Sequence, residues 1–550
     1  MKGFVERAIR QKIKELYSIE IDSFSLEPPR EESYGDYATN VAFLLSKSLR
    51  KNPQEIAQEL ASKLSNHLMT AEAVKGFVNI RLSEEFVREE FKGLLTKGQD
   101  YFFEPVEKPM CIQVEFVSAN PTGPLHVGHG RGAVVGDVLS KLLQRLGHKV
   151  LREYYINDAG NQVYMLGLSV LHRYYELFGK EDPELREVFE REGYKGKYIK
   201  RLAKDLKAFY GEELLDLERE RAIDLCKEYA HKRLLEDIKE TLELLSVSFD
   251  SWFSERSLYE RGLVEEVMQK LRKRGYIYEK DGALWFKSSD FGDDKDRVVR
   301  KSDGSWTYFA SDIAYHYQKF QRGFDKVINL WGADHHGYER RLIGALKALD
   351  IPEDWLKVEF VQMVRLISGG QEVRMSKRTG EFITLQELIE EVGKDAVRFV
   401  FLTRDSDTPL DFDIDLVKKN TTENPVFYVQ YAYARIRGVF REVKERYGID
   451  PDKEDLREYL HELSEEDLRL IKKCLYLKDT FEAVAKTFSP HLITYSLLEL
   501  AKSFHYYYNH HRVMVEDRNL MLLRLALFKG VEITLRTAFE LLGIEAPERM

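Results

Sequence analysis

The alternation of apolar runs and polar breaks is clearest in one stretch of the second hundred residues. Residues 112–117 form a short run rich in β-branched and aromatic side chains, which predicts a strand, and the Pro- and Gly-containing residues 118–124 cannot continue it. Across 131–146 apolar residues recur at helical spacing, and 150–156 returns to an extended apolar pattern. The order of strand, helix and strand predicts a βαβ unit, and therefore a parallel sheet.

The same pattern, followed along the whole chain, predicts an α/β protein of three domains. Residues 1–105 hold helices and an apolar strand, typical of a small α/β domain. Residues 106–393 carry the parallel sheet, interrupted at about 169–248 by an insertion dense in Glu, Lys, Arg and Leu at helical spacing. Residues 394–550 are predicted to be helical.

The C-terminal region interleaves basic and aromatic residues. A long helix is predicted from Pro425 to Tyr447, with Asn424 as its cap and Gly448 as its end. Aromatic, histidine and arginine side chains are dense again at 504–512, and such groups suit the stacking of unpaired RNA bases. A solvated helix with aromatic core contacts is the alternative, and some of these tyrosines must belong to the core.

Composition narrows the function classes. The net charge is −9, from 84 basic and 93 acidic residues, which argues against non-specific nucleic-acid binding by the whole surface but leaves a specific RNA partner open. No apolar run reaches membrane-spanning length and residues 1–10 lack a signal-peptide core, so we expect a cytoplasmic protein. The three cysteines are scattered without a CxxC pair, so a disulfide framework and a structural zinc site are not expected.

Two histidines three residues apart, His126 and His129, lie where the helix of the βαβ unit begins. The free N–H groups and the dipole of a first helical turn favour an anion, and together with the histidines they suit a triphosphate. An isolated HxGH sequence is more often an ordinary polar loop. Residues 128–133 also satisfy the dinucleotide pattern GxGxxA, with Glu153 downstream, but they lie too far from the strand end, so a dehydrogenase stays a minor alternative.

A second basic segment decides between these interpretations. The sequence RMSKRTG, residues 374–380, precedes a helix whose start is marked by the capping pair Thr384 and Glu387, and glycines at 369–370 border the loop. HVGH and RMSKR, roughly 250 residues apart and in this order, resemble the two nucleotide-binding signatures of class I aminoacyl-tRNA synthetases. Arg374 stands where that family has lysine, which keeps the charge but changes its geometry.

Further segments resemble the arginyl-tRNA synthetases over nearly the whole chain. They are GDYATN at 35–40, GFVNIRL at 76–82, NDAGNQ at 157–162, DAVR at 395–398 and NPVFYVQYAYARI at 424–436. The resemblance implies a Rossmann-like catalytic domain, an N-terminal domain that contacts the corner of tRNA, and an anticodon-binding helical bundle. It implies tRNA(Arg), L-arginine and ATP with Mg²⁺ as partners, a tRNA requirement for the first reaction step, and no membrane or obligatory protein partner.

The resemblance also implies site residues at matching positions. The catalytic groups would be His126, His129 and Lys377. The ATP site would add Gly128, His336 and the second signature, Arg374, Met375, Ser376, Lys377 and Arg378. Arginine would be bound by Glu115, Ser118, Asn120, Tyr308, Asp312 and Asp334, of which Asp334 falls where some relatives have glutamine. The tRNA would contact Tyr431, Tyr433, Arg435, Arg441, Tyr507 and Tyr508.

Physical chemistry supports the arginine set. A guanidinium offers five donors in a planar fork, so Glu115 and Asp312 form a credible specificity pair, and a lysine substrate could not satisfy both equally. Tyr308 and Asp312 are four residues apart and share a face if a helix begins there. Asp334, His335 and His336 are competent metal ligands, but adjacent residues on a turn rarely face one ion, and no metal site is expected.

Two rival functions remain from the sequence. A protein that only binds RNA would keep the terminal domains but should have lost the nucleotide signatures, which this chain retains. A class I synthetase for another amino acid would keep the signatures but would have no reason to place Glu115 and Asp312 together.

Overall fold

The structure, a computed structural model, describes residues 1–375 and 381–550, which divide into two compact units. Residues 105–419 form one unit, and residues 1–104 with 420–550 form the other. The predicted domain boundaries near residues 105 and 393 stay a prediction. Within the described ranges, no helix is long and apolar enough to span a membrane.

The N-terminal part of the second of these units is a small α/β layer. Helix α1 buries Val5, Ile9 and Ile13 at a spacing of four, which explains its helical pattern. Four strands pair in the order β1-β2-β4-β3, all antiparallel. The elements are α1 (Lys2–Tyr17), β1 (Leu26–Glu27), β2 (Tyr37–Thr39), α2 (Val41–Leu49), α3 (Pro53–Leu64), β3 (Met69–Val74), β4 (Phe77–Leu82) and α4 (Glu84–Lys97).

The unit formed by residues 105–419 is built on a parallel sheet, as the sequence predicts. Its first elements are β5 (Cys111–Glu115), α5 (Val127–Arg145) and β6 (Lys149–Ile156). Four helices follow, α6 (Asn161–Leu177), α7 (Pro183–Glu192), α8 (Lys197–Tyr210) and α9 (Arg219–Leu244), and they confirm the helical insertion. A Cβ at Gly167 would lie 2.7 Å from the Ile223 carbonyl oxygen, so α6 and α9 pack backbone to backbone only because Gly167 lacks a side chain.

The chain then returns to the sheet. The next elements are β7 (Ser251–Ser254), α10 (Arg256–Glu260), α11 (Leu263–Lys273), β8 (Ile277–Lys280), β9 (Ala283–Phe286), β10 (Arg297–Arg300), α12 (Tyr308–Gln321), β11 (Lys326–Gly332), α13 (Tyr338–Lys347) and β12 (Leu356–Val361). The parallel strands lie in the order β12-β11-β5-β6-β7. Successive strands leave β5 first on one side and then on the other, so a crevice opens at the carboxyl ends of β5 and β11.

The last elements of this unit follow the sheet. They are β13 (Val364–Ser368), β14 (Gln371–Glu372), α14 (Leu385–Val392), α15 (Lys394–Phe401) and β15 (Leu410–Asp413). Strand β13 pairs with β14 in antiparallel and with β15 in parallel orientation. Residues 376–380, which include the predicted Ser376, Lys377 and Arg378, lie outside the described residues.

The C-terminal region is helical, as predicted. Its helices are α16 (Pro425–Tyr447), α17 (Glu465–Thr487), α18 (His491–His510) and α19 (Arg518–Leu542). Asn424 caps α16 through the N–H groups of Val426 and Phe427, and Gly448 ends it at φ 67°. Both predicted ends of this helix are therefore confirmed.

Candidate functional site

The end of β5 carries an unusual turn. The strand stops at Glu115, two residues before its predicted end, because Val117 and Ser118 both have positive φ, 67° and 44°. The Ser118 N–H donates to the Phe116 carbonyl at 3.0 Å, which closes a γ-turn of the rare, strained form. The Ser118 hydroxyl donates to Glu115 Oε2 at 3.0 Å and accepts the Tyr155 N–H at 3.1 Å. These contacts hold the strained turn and fix the Glu115 carboxylate.

A buried lysine holds the other oxygen of Glu115. Lys319 Nζ lies 2.8 Å from Glu115 Oε1 and 3.1 Å from Asn329 Oδ1, and all three side chains are buried. Sequence reasoning missed Lys319, although a signal existed. It follows Asp312 by seven residues, two turns further along α12, and so lies on the same face of that helix as the predicted Tyr308 and Asp312.

Asp312 interacts with the charge of Glu115, Glu255 interacts with that of Asp312, and both of these carboxyl groups have a raised pKa. Desolvation within the protein and the nearby charge of Glu115 raise the pKa of Asp312 to about 7, although the Tyr338 hydroxyl donates to it. Burial and the charge of Asp312 likewise raise the pKa of Glu255 to about 7. Sequence reasoning missed Glu255. Its position was a signal, because it directly follows β7 at the carboxyl edge of the parallel sheet, where such sheets bind ligands. Among the described residues, Lys319 is paired with Glu115, while the pKa values of the Asp312 and Glu255 carboxyl groups are raised toward neutrality.

The first signature forms a reciprocal cap on α5. Nδ1 of His126 accepts the N–H groups of Gly128 (3.1 Å) and His129 (3.4 Å), and Nδ1 of His129 accepts the His126 N–H (3.2 Å). Helix α5 consequently begins at Val127, earlier than the predicted position 131. A Cβ at Gly128 would lie 3.1 Å from the His126 ring, so the glycine makes room for this cap.

The cap decides which ring nitrogen faces outward as a donor. Since each Nδ1 accepts a hydrogen bond, the proton of a neutral ring belongs on Nε2. Desolvation lowers the pKa of both imidazoles, and with the neighbouring His126 it lowers that of His129 to about 3. The rings stack with centroids 3.5 Å apart. The start of α5 therefore presents two neutral Nε2–H donors rather than the free backbone N–H groups expected from the sequence.

The chain that follows the second signature contacts this cap. Met375 pairs with Phe382, and Thr384 pairs with His126, each as an antiparallel bridge. The Leu385 N–H also donates to the Leu125 carbonyl at 2.9 Å. Thr384 caps α14 through the Glu387 N–H, as predicted. The residues that follow the second signature therefore meet the first signature, although the two lie far apart in sequence.

Arg374 and Arg131 have different roles near this segment. Arg374 is largely exposed and bonds the chain's own Glu372 at 3.2 Å. Arg131, which sequence reasoning missed, is buried on α5 and donates to three backbone carbonyls, those of Gln362 (3.1 Å), Asp405 (2.8 Å) and Thr408 (2.7 Å). It thereby ties the signature helix to the residues that lead into β13 and β15.

The remaining predicted residues of the crevice lie around its rim. Asn120 donates to Gln162 at 2.6 Å, and Tyr308 is 55% exposed at the start of α12, as the prediction of a helix there required. Asp334 is exposed and contacts His335 at 3.0 Å. His336 stacks on Phe360 and contacts Asp407 at 3.1 Å.

The contacts of Asp334, His335 and His336 bear on the metal alternative. Asp334 and His335 pair with each other, whereas His336 turns to Asp407, so the three side chains do not converge on one point. Within the described ranges, no group of three or more His, Cys, Asp or Glu side chains could hold a metal ion.

The C-terminal helices bring four of the six predicted RNA-contacting residues toward solvent. The Arg435 guanidinium lies over the rings of Tyr431 (4.7 Å) and Tyr508 (4.2 Å), in a cation–π arrangement between α16 and α18. Arg441, also half-exposed, donates to the Glu548 carbonyl at 2.9 Å. Tyr433 and Tyr507 are 3% and 2% exposed, so neither ring has a face available to a base. These two belong to the core.

The chain matches three described families over most of its length. Residues 91–410 match "tRNA synthetases class I (R), catalytic domain", residues 4–82 match "Arginyl tRNA synthetase N terminal domain", and residues 429–550 match "DALR anticodon binding domain".

Curated relatives and a solved structure agree with these families. A protein named "Arginine--tRNA ligase" from Aquifex aeolicus is 52% identical over 583 aligned positions, with all of both chains covered. One of the same name from Caldanaerobacter subterraneus is 45% identical and covers 100% of this chain and 98% of its own. The Thermus thermophilus arginyl-tRNA synthetase structure has a TM-score of 0.79 over all of both chains at 22% identity, which shows the shared fold.

Proposed function

Because the chain belongs to the arginyl-tRNA synthetase family and is an arginine–tRNA ligase, we propose that the crevice at the end of β5 is where it activates arginine. In the first step, an oxygen of the arginine carboxylate attacks the α-phosphorus of ATP, and pyrophosphate leaves. In the second, a terminal ribose hydroxyl of tRNA(Arg) attacks the acyl carbon, and AMP leaves. Such transfers depend on positioning and charge stabilisation, which is what this crevice can supply.

The proposal depends chiefly on one observation, the proximity of Glu115 to Asp312. A guanidinium between them would meet two carboxyl groups, and because the pKa of Asp312 is about 7, this carboxyl would lose its proton to solvent as the cation binds. We assign Glu115, Asp312 and the newly found Glu255 to the guanidinium. Lys319 and Ser118 orient Glu115 by holding one oxygen each.

The rim residues would bind the other end of arginine. Asn120 and Tyr308 lie beside the crevice with polar groups for the α-amino and carboxylate groups. Asp334, exposed and paired with His335, is the least supported member of the predicted set.

We assign the nucleotide to the cap at the start of α5. The neutral Nε2–H groups of His126 and His129 would donate hydrogen bonds to phosphate oxygens. These bonds would stabilise the negative charge that develops on the pyrophosphate as it leaves. Lys377, with Arg374, Met375, Ser376 and Arg378, would bind the phosphates from the second signature, and His336 would contact the nucleotide. Mg²⁺ would enter on the ATP phosphates, whose oxygens are the ligands that it prefers.

We assign tRNA contacts to Tyr431, Arg435, Arg441 and Tyr508, and anticodon binding to the helical region that contains them. Arg435 already lies between two aromatic rings, so a base stacked on either exposed face would extend an existing arrangement. Since charging of tRNA serves translation, we expect the enzyme to work in the cytoplasm.

ATP–pyrophosphate exchange with each standard amino acid, with and without total tRNA, tests the function. We expect exchange with arginine alone and only when tRNA is present. Exchange with another amino acid would move the assignment elsewhere in class I. No exchange under any condition would favour a protein that only binds RNA.

Substitution of Glu115 tests the pocket. Glu115→Gln removes the charge and keeps the shape, so we expect kcat/KM for arginine to fall by roughly 30- to 1,000-fold while KM for ATP is unchanged. Glu279→Gln, at an exposed position of β8, is the matched control. Unchanged arginine use in Glu115→Gln would show that Glu115 is only a sheet residue.

Substitution of Lys377 tests the second signature. We expect Lys377→Ala to slow adenylate formation far more than it weakens arginine binding, because the amine would stabilise the charge that develops on the leaving pyrophosphate. An unchanged chemical step in pre-steady-state measurements would contradict this role.

A further inference from the structure

The first turn of α8, in the helical insertion, contacts the segments around both signatures. The Lys197 N–H donates to Glu381 Oε1 at 2.7 Å, and Glu381 is the first described residue after the second signature. The Tyr198 hydroxyl donates to the Thr122 carbonyl at 2.6 Å, in the loop that leads to the first signature. One helical turn outside the parallel sheet thus contacts both the loop before the first signature and the chain just after the second signature.

The local sequence explains why this turn can do so. Gly196 caps α8 without a side chain, and the first N–H groups of a helix have no partner within the helix. The Lys197 N–H is therefore available to a carboxylate, and Glu381 supplies one. A Cβ at Gly196 would lie 2.4 Å from the Tyr198 ring, and a Cβ at Gly123 would lie 3.1 Å from its hydroxyl oxygen. Both glycines leave the room that Tyr198 needs to reach Thr122.

We propose that the helical insertion positions the two nucleotide-binding signatures through this turn, and that Tyr198 and Glu381 are positioning residues for adenylate formation. The inference rests on the proposed function of the crevice. Neither residue needs to touch arginine, because each acts on a flank, Tyr198 on the loop before His126 and Glu381 on the chain after the second signature. Loss of either contact should therefore slow transfer of the adenylyl group to the arginine carboxylate while leaving arginine binding intact.

The contact with Glu381 can be removed from either side. Lys197 is the first residue of α8, where proline is favoured, and Gly196, at φ −61° and ψ 155°, has the extended conformation that precedes proline. Lys197→Pro therefore removes the donating N–H without opposing the helix. Lys197→Ala keeps the N–H and removes the side chain, and so is its control.

On the other side, Glu381→Ala removes the acceptor, whereas Glu381→Gln keeps an acceptor oxygen and removes the charge. The Gln variant separates positioning from a second explanation, in which the Glu381 charge acts by repelling the phosphates of ATP. Positioning predicts that Gln retains most of the activity, and charge repulsion predicts that Gln and Ala behave alike.

Arginine-dependent ATP–pyrophosphate exchange by the full chain, with tRNA present, is the measurement. We expect Lys197→Pro and Glu381→Ala each to lower kcat by roughly 3- to 10-fold, as for loss of one hydrogen bond, with KM for arginine and the thermal midpoint unchanged. The double variant should be less impaired than the product of the two single effects, because both variants remove the same bond. Lys197→Ala, which keeps the N–H, should retain more of the wild-type kcat than Lys197→Pro.

The Tyr198 contact is tested in the same assay. Tyr198→Phe removes the hydroxyl and keeps the ring, and we expect a similar fall in kcat. Tyr229→Phe is the matched control, because its hydroxyl also donates within the insertion, to Asp205 at 3.2 Å, away from both signatures.

The outcomes separate this inference from the function on which it rests. A wild-type chain without arginine-dependent exchange would overturn both. Normal wild-type exchange would overturn the inference alone if Lys197→Pro and Tyr198→Phe were as active as their controls, or if Glu381→Gln and Glu381→Ala were equally impaired.

Discussion

Asp137 and Asp312 are two acidic residues of the same α/β unit, and their surroundings shift the pKa of the two carboxyl groups in opposite directions. Asp137, on α5, is fully buried and contacts Arg152, Arg398 and, at 2.9 Å, Lys141. Burial alone would raise its pKa, but the three cations hold the pKa below its ordinary value. Asp312, on α12, has one hydroxyl donor and a carboxylate neighbour, and its pKa is raised to about 7.

The difference separates a carboxylate that the protein itself neutralises from one that we propose binds the substrate. Asp137 is satisfied by the chain itself, with Arg398 also donating to the Leu245 carbonyl at 2.9 Å and so fastening α15 to the end of the insertion. Lys319 and His335 counteract the raised pKa of Asp312, but Lys319 is already paired with Glu115. A site left short of positive charge is suited to a cationic ligand, and a guanidinium fits.

Loss of the Asp137 charge should have the largest effect, and on stability. Asp137→Asn leaves three cations around a neutral group, so we expect the free energy of unfolding to fall by about 3–5 kcal/mol. Denaturant unfolding measures this, and KM for arginine of the remaining folded enzyme should be unchanged. A fall below about 1 kcal/mol would mean that solvent reaches the cluster and that the two aspartates differ less than their contacts indicate.

Loss of the Asp312 charge should impair arginine use and leave the stability of the protein intact. Asp312→Asn removes a partner of the guanidinium, so we expect kcat/KM for arginine to fall by roughly 30- to 1,000-fold, or about 2–4 kcal/mol. Because the native charge is poorly compensated, the thermal midpoint should stay the same or rise slightly. A large loss of stability with normal arginine use would contradict the comparison.

Much of the fold could be predicted because its signals are local. The ends of α16 are set by Asn424, Pro425 and Gly448, residues whose conformational preferences act wherever they occur. The end of β5 was mispredicted because Val117 favours a strand by type. The contacts of Ser118 with Glu115 and with the Tyr155 N–H, one of them on a neighbouring strand, override that preference.

The proximity of two candidate site residues could be expected from the sequence for a different reason. Glu115 and Asp312 came from a family resemblance, and the structure brings them together. Lys319 and Glu255 were missed because their relevance depends on which strands and helices are neighbours, which the local sequence does not state. The burial of Tyr433 and Tyr507 shows a related limit, since an aromatic and basic stretch does not reveal which face of its helix meets the core.

The pH dependence of arginine binding is a further test of the difference between Asp137 and Asp312, and its expected effect is smaller than that of Asp312→Asn. Carboxyls with pKa values of about 7 are protonated below that pH, so the affinity for a cation should rise as the pH increases. If one of Asp312 and Glu255 must ionise, affinity should increase about 10-fold from pH 6 to pH 8.

The proton balance can be measured directly. Calorimetry of arginine binding in two buffers of different ionisation enthalpy should show release of up to one proton near pH 7. Asp137, whose pKa is lowered, should contribute nothing in this range, and Asp312→Asn should reduce the release. Affinity independent of pH, without proton release, would mean that the crevice carboxylates are already ionised before arginine binds.

Loss of a single cation beside Asp137 should have the smallest effect. Lys141 is 30% exposed, and Arg152 and Arg398 would remain on the carboxylate. Lys141→Met keeps the apolar stem of the side chain, so we expect the free energy of unfolding to fall by only about 0.5–1 kcal/mol, as for a partly solvated ion pair. Denaturant unfolding of Lys141→Met and Asp137→Asn under the same conditions gives the ratio of their losses in free energy of unfolding. If Lys141→Met cost as much as Asp137→Asn, the carboxylate would depend on all three cations. The charge of Asp137 would then be less fully compensated than its contacts indicate, and Asp137 would resemble Asp312 more closely.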